Sequence, residues 1–267
     1  MEPTQRTLDT LREATTATIS TQLFARGLRN LFLFGLRPLN AQACSFVAEA
    51  FTLRYIPARE DLDVLDAFRD PGHPQRRAIE SVGPGQVLVM DCRNEARAAS
   101  AGHILTTRLA LCGAAALVTD GSVRDSPEIA RMAFPVFTSG ISANTNLIQH
   151  HAVDLQVPIG CAGVAVFPGD ILVGDAEGVV VIPRELAAEI AEPAAEQEEL
   201  ERFILERVRA GAALPGTYPP DAATIAAYRE SFSARDQHGP GSRNDQMPRQ
   251  TTAAQPGTEA PEEGMQP

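Results

Sequence analysis

Short apolar segments alternate with helical segments between residues 83 and 140, and no other feature constrains the fold as strongly. Three of the apolar segments are predicted to be buried strands, namely Gln86–Asp91, Ala115–Asp120 and Phe134–Gly140. Helices are predicted between them, at Ala101–Cys112 and at Pro127–Met132, which begins with a proline. Strands that alternate with helices pair in parallel through crossover connections. The chain is therefore predicted to be an α/β protein.

The segments on either side of this region have other patterns. Residues 8–26 are predicted to form a helix, residues 28–40 to hold a short strand, and Phe46–Pro57 to form a longer strand. Residues 153–183 contain several short valine-rich strands separated by turns, which predicts an antiparallel meander. Residues 184–209 predict a long helix rich in glutamate, a composition typical of a solvated face or an inter-subunit contact.

The composition changes after Ser233, because residues 234–267 contain no Leu, Ile, Val or Phe. Such a segment cannot bury enough apolar surface to offset the entropy lost on ordering. We therefore predict a single domain over residues 1–233 and a disordered tail over residues 234–267.

Charge and cysteine content exclude several classes of function. A formal net charge of -11 argues against sequence-independent binding of nucleic acid, which needs basic side chains to replace counterions. The four cysteines form no CxxC pair, so neither a zinc cluster nor structural disulfides are expected, and a reducing cytoplasm is predicted. The polar N-terminus does not resemble a secretory signal, and no run of about 18 apolar residues predicts a membrane span.

The segment from Gly102 to Asp125, GHILTTRLALCGAAALVTDGSVRD, holds the residues best suited to chemistry. A glycine that opens a helix lets a ligand approach the free N–H groups of the first turn. Arg124 offers a planar pair of donors to a carboxylate, and Asp125 can hold a hydrated Mg²⁺. Taken singly, the glycine could make only a tight turn and the Arg-Asp pair could be a surface ion pair. Asp120-Gly121 is predicted to be a turn after the second strand.

This segment resembles the signature of the RraA-like family, and PGDILVGDAEGVVVIP, which begins at Pro168, is similar to a second stretch of that family. The resemblance covers about residues 8–210 and keeps both motifs in order. The family contains class II aldolases for 4-hydroxy-4-methyl-2-oxoglutarate and 4-carboxy-4-hydroxy-2-oxoadipate, and also the regulator of ribonuclease activity.

The resemblance implies a swivelling β/β/α domain that assembles into homotrimers or homohexamers with sites between subunits. It implies that pyruvate binds to the backbone of the tetrapeptide Gly102, His103, Ile104 and Leu105. By the same resemblance, Arg124 binds the substrate carboxylate, and the catalytic pair is completed by Asp125, which holds Mg²⁺ or Mn²⁺. The sequence departs from the signature at Ile104, where leucine is usual, and around residues 114–116, where alanine replaces a glycine.

The implied reaction is cleavage of a small 4-hydroxy-2-oxo acid to pyruvate and a carbonyl product by a divalent-metal-dependent lyase. Decarboxylation of oxaloacetate would need the same pyruvate enolate, which a bound cation stabilises. The chain contains no lysine, so a Schiff-base mechanism is excluded. The alternative is a non-enzymatic regulator that inhibits a ribonuclease. Family regulators can lack the metal-binding Asp, so the presence of Asp125 favours an enzyme.

Further candidates are less specific. His103 could act as an acid or base, whereas His150 and His151 are interpreted as loop residues. Residues 55–63 could tune substrate choice or form a solvated loop. A set that follows the first predicted strand could line the cleft, namely Asp91, Arg93 and Asn94. A set on the long helix could reach a site in a neighbouring subunit, namely Glu196, Glu198 and Glu199.

Overall fold

The computed structural model describes residues 2–237, and of these the side chains of residues 2–231. The strands are β1 (Arg37–Pro38), β2 (Phe46–Pro57), β3 (Gln86–Asp91), β4 (Ala99–Ala101), β5 (Ala116–Val123), β6 (Val136–Ile141), β7 (His150–Leu155), β8 (Ile159–Cys161), β9 (Val164–Val166), β10 (Ile171–Gly174) and β11 (Val179–Ile182). The helices are α1 (Gln5–Leu11), α2 (Thr16–Ala25), α3 (Pro74–Ser81), α4 (His103–Leu111), α5 (Ser126–Ala130), α6 (Ala187–Arg209) and α7 (Ala222–Gln237).

Nine of the strands form one mixed sheet with the order β1-β6-β5-β3-β2-β10-β11, in which β4 also pairs with β5 and β7 with β2. The four central strands β2, β3, β5 and β6 pair with one another in parallel, and crossovers connect them, whereas β1, β7 and β10 join this group in antiparallel. The predicted α/β class with parallel pairing is therefore confirmed. Strands β8 and β9 form a separate antiparallel hairpin.

The central strands are buried on both faces, which explains why their sequences are continuously apolar rather than alternating. In β3, Val87 and Val89 belong to a cluster shared with the β8–β9 hairpin. Leu88 and Met90 point to the other face and pack in a cluster with residues of α3, α4 and α5. Successive side chains of a strand point to opposite faces, so one short segment contributes to two cores.

A third cluster lies at the β10–β11 end of the sheet, where α1, α2 and α6 cover it. The predicted helix over residues 8–26 is in fact two helices, so the prediction of one helix is wrong. The helix is interrupted between Leu11 and Thr16. The Thr15 hydroxyl accepts a hydrogen bond from the Thr18 N–H at 3.2 Å and so caps α2. Residues 28–40 contribute only the two-residue strand β1.

Two further predictions differ from the structure. The meander predicted for residues 153–183 is divided, because β7 pairs with β2, β8 with β9, and β10 with β2 and β11. His150 and His151 belong to strand β7 rather than to a loop, and His150 is almost fully buried.

The predicted turn at Asp120-Gly121 is also wrong, because both residues lie inside β5. The pairing of β5 with β6 shifts register there, so the dipeptide forms a β-bulge. The Ser139 hydroxyl hydrogen-bonds the carbonyl groups of both residues at 2.8 Å. A Cβ on Gly121 would lie 2.9 Å from the Cβ of Cys92, so glycine is needed for space.

Residues 2–212 form one compact unit, and the described residues from 213 onward belong to a second unit that contains α7. Within the second unit, the Thr224 N–H donates to the Asp221 carboxylate at 2.8 Å near the start of α7. The first four residues of the predicted tail continue α7 to Gln237, and residues 238–267 lie outside the described part. Among the helices of residues 2–237, none combines the length and apolarity needed to cross a membrane.

Candidate active site

The pairing of β4 with β5 brings the two halves of the Gly102–Asp125 segment together. Ala101 is in register with Val123, and the Arg124 N–H donates to the Ala101 carbonyl at 3.0 Å. Gly102 follows β4 and Arg124 follows β5, so the start of α4 and the Arg-Asp pair meet at one edge of the sheet. This edge is the carboxyl end of β5, where α/β proteins place ligand sites.

Gly102 is required here for space rather than for an unusual backbone conformation. Its φ of −132° is extended and is accessible to any residue. A Cβ at this position would lie 2.7 Å from Oδ2 of Asp125 and 2.9 Å from Cγ of Arg124. The missing side chain therefore lets the side chains of Arg124 and Asp125 pack against the helix start.

Asp125 has a left-handed backbone, with φ of 56° and ψ of 34°, and it precedes α5. Aspartate tolerates this conformation better than most residues, and such outliers concentrate at functional sites. Its Oδ2 accepts a hydrogen bond from the His103 N–H at 3.1 Å and lies 3.9 Å from Nε of Arg124. Both side chains are about half exposed, at 49% for Arg124 and 47% for Asp125, so a ligand can reach them.

A cavity of about 130 Å³ opens at this point. It is small compared with the roughly 300–1,000 Å³ of sites for drug-sized ligands, which suits a small organic acid. It is lined by Phe68, Gln75, Arg76, Ala99, Ser100, Ala101, Gly102, Ile104, Leu105, Arg124, Asp125, Thr145 and Asn146.

Five of the six sequence-predicted site residues line this cavity, and the sixth, His103, contributes its backbone N–H to Asp125. That N–H is already occupied by the carboxylate. Ile104 and Leu105 also lie in the first turn of α4, where the helix itself supplies no acceptor for the N–H groups. Ile104 as a whole residue is 81% exposed.

Five polar residues of the cavity were not predicted from the sequence, namely Gln75, Arg76, Ser100, Thr145 and Asn146. Gln75 and Arg76 lie in the first turn of α3, and Asn146 begins a 3-10 turn before β7. Gln75 is almost fully buried, and its Nε2 donates to the Ser100 carbonyl at 2.7 Å. The only sequence signal for this wall was a proline that can open a helix, Pro74, in a segment interpreted as a loop.

Several other candidates lie elsewhere. Asp91 accepts the N–H groups of Arg93 and Gly160, and it does not line the cavity. In residues 55–63, Arg59 pairs with Asp61 at 2.7 Å, and Asp63 pairs with His151 at 2.9 Å. Residues 55–63 contribute nothing to the cavity wall, whereas Phe68 beyond them does.

Three glutamates of α6, Glu189, Glu192 and Glu198, contact α1 or α2 or the turn between them. Glu198 accepts hydrogen bonds from the N–H of Thr15 at 2.8 Å and from its hydroxyl at 2.6 Å, at the start of α2. Glu189 pairs with Arg26 at 2.8 Å, and Glu192 pairs with Arg6 at 3.1 Å. The helix thus holds α1 and α2 against the sheet.

Asp120 lies five residues before Asp125 and is fully buried. Its carboxylate accepts three backbone N–H groups, from Cys92 at 2.5 Å, Asn94 at 2.9 Å and Ala162 at 3.2 Å. Burial raises the pKa of Asp120, and the three donors oppose that rise. Burial also raises the pKa of the Cys161 thiol, and the charge of Asp120 adds to the effect.

The donor set at Asp125 fits a hydrated divalent cation. Mg²⁺ keeps several waters and is commonly held by one or two carboxylates together with the substrate. Oδ2 of Asp125 is the oxygen engaged by the His103 N–H, and the half-exposed carboxylate has room for a hydrated ion. Among the described residues, no group of three or more His, Cys, Asp or Glu side chains forms a closed metal site.

Residues 16–181 match the model of the RraA-like family, which is described as Aldolase/RraA. A provisionally named 4-hydroxy-4-methyl-2-oxoglutarate aldolase of Halalkalibacterium halodurans is 33% identical over 138 residues. That alignment covers 50% of this chain and 65% of the relative, just under two thirds of its length.

Two solved structures are similar over most of the chain. An uncharacterized protein from Pseudomonas syringae pv. tomato superposes with a TM-score of 0.69 and 27% identity, covering 82% of this chain and 99% of that one. Streptomyces coelicolor RraAS2, described as an unusual member of the RNase ES inhibitor RraA protein family, superposes with a TM-score of 0.66 and 28% identity, covering 76% and 97%.

Proposed function

The chain belongs to the RraA-like (Aldolase/RraA) family, and from that premise we propose that it is a divalent-metal-dependent lyase. Its substrate is a 4-hydroxy-2-oxo acid related to 4-hydroxy-4-methyl-2-oxoglutarate, 4-carboxy-4-hydroxy-2-oxoadipate or a sugar-derived acid. The products are pyruvate and a carbonyl compound, and oxaloacetate decarboxylation is a second activity of the same site. The proposal includes a cytoplasmic homotrimer or homohexamer.

The observation that carries the proposal is the convergence of Gly102, Arg124 and Asp125 at the carboxyl end of β5. A guanidinium, a half-exposed carboxylate and the start of a helix meet at one small cavity. A 2-oxo acid needs a cationic partner for its carboxylate and a stabilising charge for its keto oxygen. The cavity offers a group suited to each task.

Each residue has a separate role in this proposal. Arg124 binds the pyruvyl carboxylate and orients the substrate. The first-turn N–H groups of Ile104 and Leu105 add partial positive charge at the same end. Asp125 would hold Mg²⁺ or Mn²⁺, which supplies Lewis-acid stabilisation of the negative charge that develops as the C–C bond breaks.

The test is pyruvate release by the purified full-length chain, measured by reduction with lactate dehydrogenase and NADH. The substrates are 4-hydroxy-4-methyl-2-oxoglutarate and oxaloacetate, each with Mg²⁺, with Mn²⁺ and with excess chelator. Enzyme-free samples with the same metal correct for spontaneous decarboxylation. We expect activity with either metal, none with chelator, and recovery when metal is restored.

The matched variants are Asp125→Ala and Asp9→Ala, which remove one exposed carboxylate each. Asp125→Ala is expected to lower pyruvate release by roughly 100-fold or more, whereas Asp9→Ala leaves it unchanged. Activity that survives the chelator, or survives Asp125→Ala, contradicts the metal-dependent mechanism. A folded protein that releases no pyruvate from either substrate would favour the ribonuclease regulator instead.

A further inference from the structure

Arg76 lies in α3 and lines the wall of the cavity that this helix forms. Among the described residues, its guanidinium has no carboxylate partner. Its guanidinium carbon lies 4.3 Å from the centroid of the Phe68 ring, so the group stacks on the aromatic face. It makes no ion pair with any carboxylate among residues 2–231. Stacking leaves the in-plane N–H groups of a guanidinium available to an acceptor.

The described surroundings of Arg76 supply an aromatic face for its positive charge but no anion. Burial lowers the pKa of the Arg76 guanidinium, and the like charge of Arg124 lowers it further. Both side chains line the same cavity of about 130 Å³. Arginine stays protonated in proteins, so two cations face one small space. Such an arrangement is stabilised by a ligand that brings two negative charges.

Two buried polar atoms at the same wall also lack partners. Oε1 of Gln75 and Nδ2 of Asn146 have no hydrogen-bond partner in the described part of the chain, although both residues line the cavity. Gln75 is 2% exposed and Asn146 is 4% exposed. Both side chains lie beside the buried hydroxyl of Tyr55, which can donate and accept, so their polar atoms are directed at a residue of the protein. This wall therefore offers a ligand the charge of Arg76.

From these contacts we propose that Arg76 binds a second carboxylate of the substrate and thereby selects dicarboxylic over monocarboxylic 2-oxo acids. The assignment rests on the lyase function proposed above. Arg124 and Asp125 then serve the pyruvyl end, whereas Arg76, fixed by Phe68, determines which acids fit at the other end.

The test measures binding and turnover separately. Binding uses 2-oxoglutarate and 2-oxopentanoate, which have five carbons each, differ in the second carboxylate, and lack the 4-hydroxyl group needed for cleavage. Turnover uses 4-hydroxy-4-methyl-2-oxoglutarate and the monocarboxylic 4-hydroxy-2-oxopentanoate. The variants are Arg76→Gln and the matched Arg77→Gln, which removes the same charge from the adjacent exposed position outside the cavity.

Arg76→Gln is expected to weaken 2-oxoglutarate binding roughly 10- to 100-fold and to change 2-oxopentanoate binding by less than about threefold. The ratio of kcat/KM between the two cleavable acids should fall by a similar factor, and Arg77→Gln should leave both ratios unchanged. Equal losses for both acids, or no loss for either, would overturn the assignment. Selective binding of 2-oxoglutarate without turnover would keep the Arg76 assignment and reject the lyase.

Discussion

Asp120 and Asp125 stand five residues apart in one motif, yet their surroundings are opposite. Asp120 is fully buried, and three backbone N–H groups engage both of its oxygens. Asp125 is about half exposed and accepts one backbone N–H. A carboxylate saturated by backbone donors has little capacity left for a ligand, whereas a partly engaged one has that capacity. The number of backbone donors therefore separates the structural aspartate from the candidate functional one.

The backbone at the two positions differs as well. Asp120 ties the end of β3 and the β8–β9 hairpin to the bulge in β5. It holds two connections with positive φ values, the loop at Arg93 and Asn94 and the hairpin turn at Ala162. Asp125 itself carries the left-handed conformation. Asp120 thus helps to hold other residues in left-handed conformations. At Asp125 the left-handed conformation belongs to the residue itself and directs its side chain towards the cavity.

The largest difference between the two aspartates is expected when each carboxylate is exchanged for an amide. Asp125→Asn is expected to lower pyruvate release roughly 100-fold with less than about 1 kcal/mol of lost stability, because asparagine tolerates the left-handed conformation. Asp120→Asn places an NH₂ group against buried N–H donors, so it should cost about 2–4 kcal/mol of unfolding free energy. Urea titration followed by circular dichroism measures stability in a chain that has no tryptophan.

The two variants serve as controls for each other. Residual activity per folded molecule should stay near the wild-type value in Asp120→Asn, measured well below its urea midpoint. The comparison fails if Asp125→Asn unfolds the protein while retaining activity, or if Asp120→Asn abolishes activity without loss of stability.

The sequence predicted the place of Asp125 in the cavity but not the structural setting of Asp120. Arg124 and Asp125 were assigned from a motif, and the pairing of β4 with β5 explains why a spacing of about twenty residues closes onto Gly102. The prediction of a turn at Asp120-Gly121 is wrong because the same dipeptide also suits a β-bulge. The distant donors at Cys92 and Ala162 decide between the two.

The wall of the cavity that holds Arg76 could not be found in this way. Gln75, Arg76 and Asn146 are far apart from the motif in sequence, and they meet it only through packing of α3 and the turn before β7. An arginine next to another arginine, Arg77, also looks like ordinary surface charge until burial distinguishes the two. Local patterns therefore predicted the parallel core, and the motif predicted the residues from Gly102 to Asp125 that line one side of the cavity, whereas the opposite wall depended on tertiary contacts.

A smaller loss of pyruvate release is expected when the Asp125 carboxylate is moved rather than removed. In Gly102→Ala, the new Cβ would lie 2.7 Å from Oδ2 of Asp125, so both Asp125 and Arg124 must shift. We expect pyruvate release to fall roughly 10- to 100-fold, because small misplacements of reacting groups are costly. The control is Gly83→Ala, where an added Cβ meets no atom within 4 Å. Equal activity in the two variants would contradict the close packing of Gly102 on the pair.

The smallest expected effect reports on Asp120 through its neighbouring thiols. All four cysteines are free, and Cys44, Cys92 and Cys161 are buried, whereas Cys112 is partly accessible. Burial raises the pKa of Cys92, and the charge of Asp120 raises it further, so its reactive thiolate is suppressed in the native protein.

At pH 8, a disulfide reagent should label about one thiol in native wild-type protein and in Asp125→Asn, and four after unfolding. Asp120→Asn should speed labelling of Cys92 and Cys161 by roughly tenfold through local opening, as peptide mapping would detect. Unchanged protection of both thiols would mean that Asp120 does not hold this part of the fold closed.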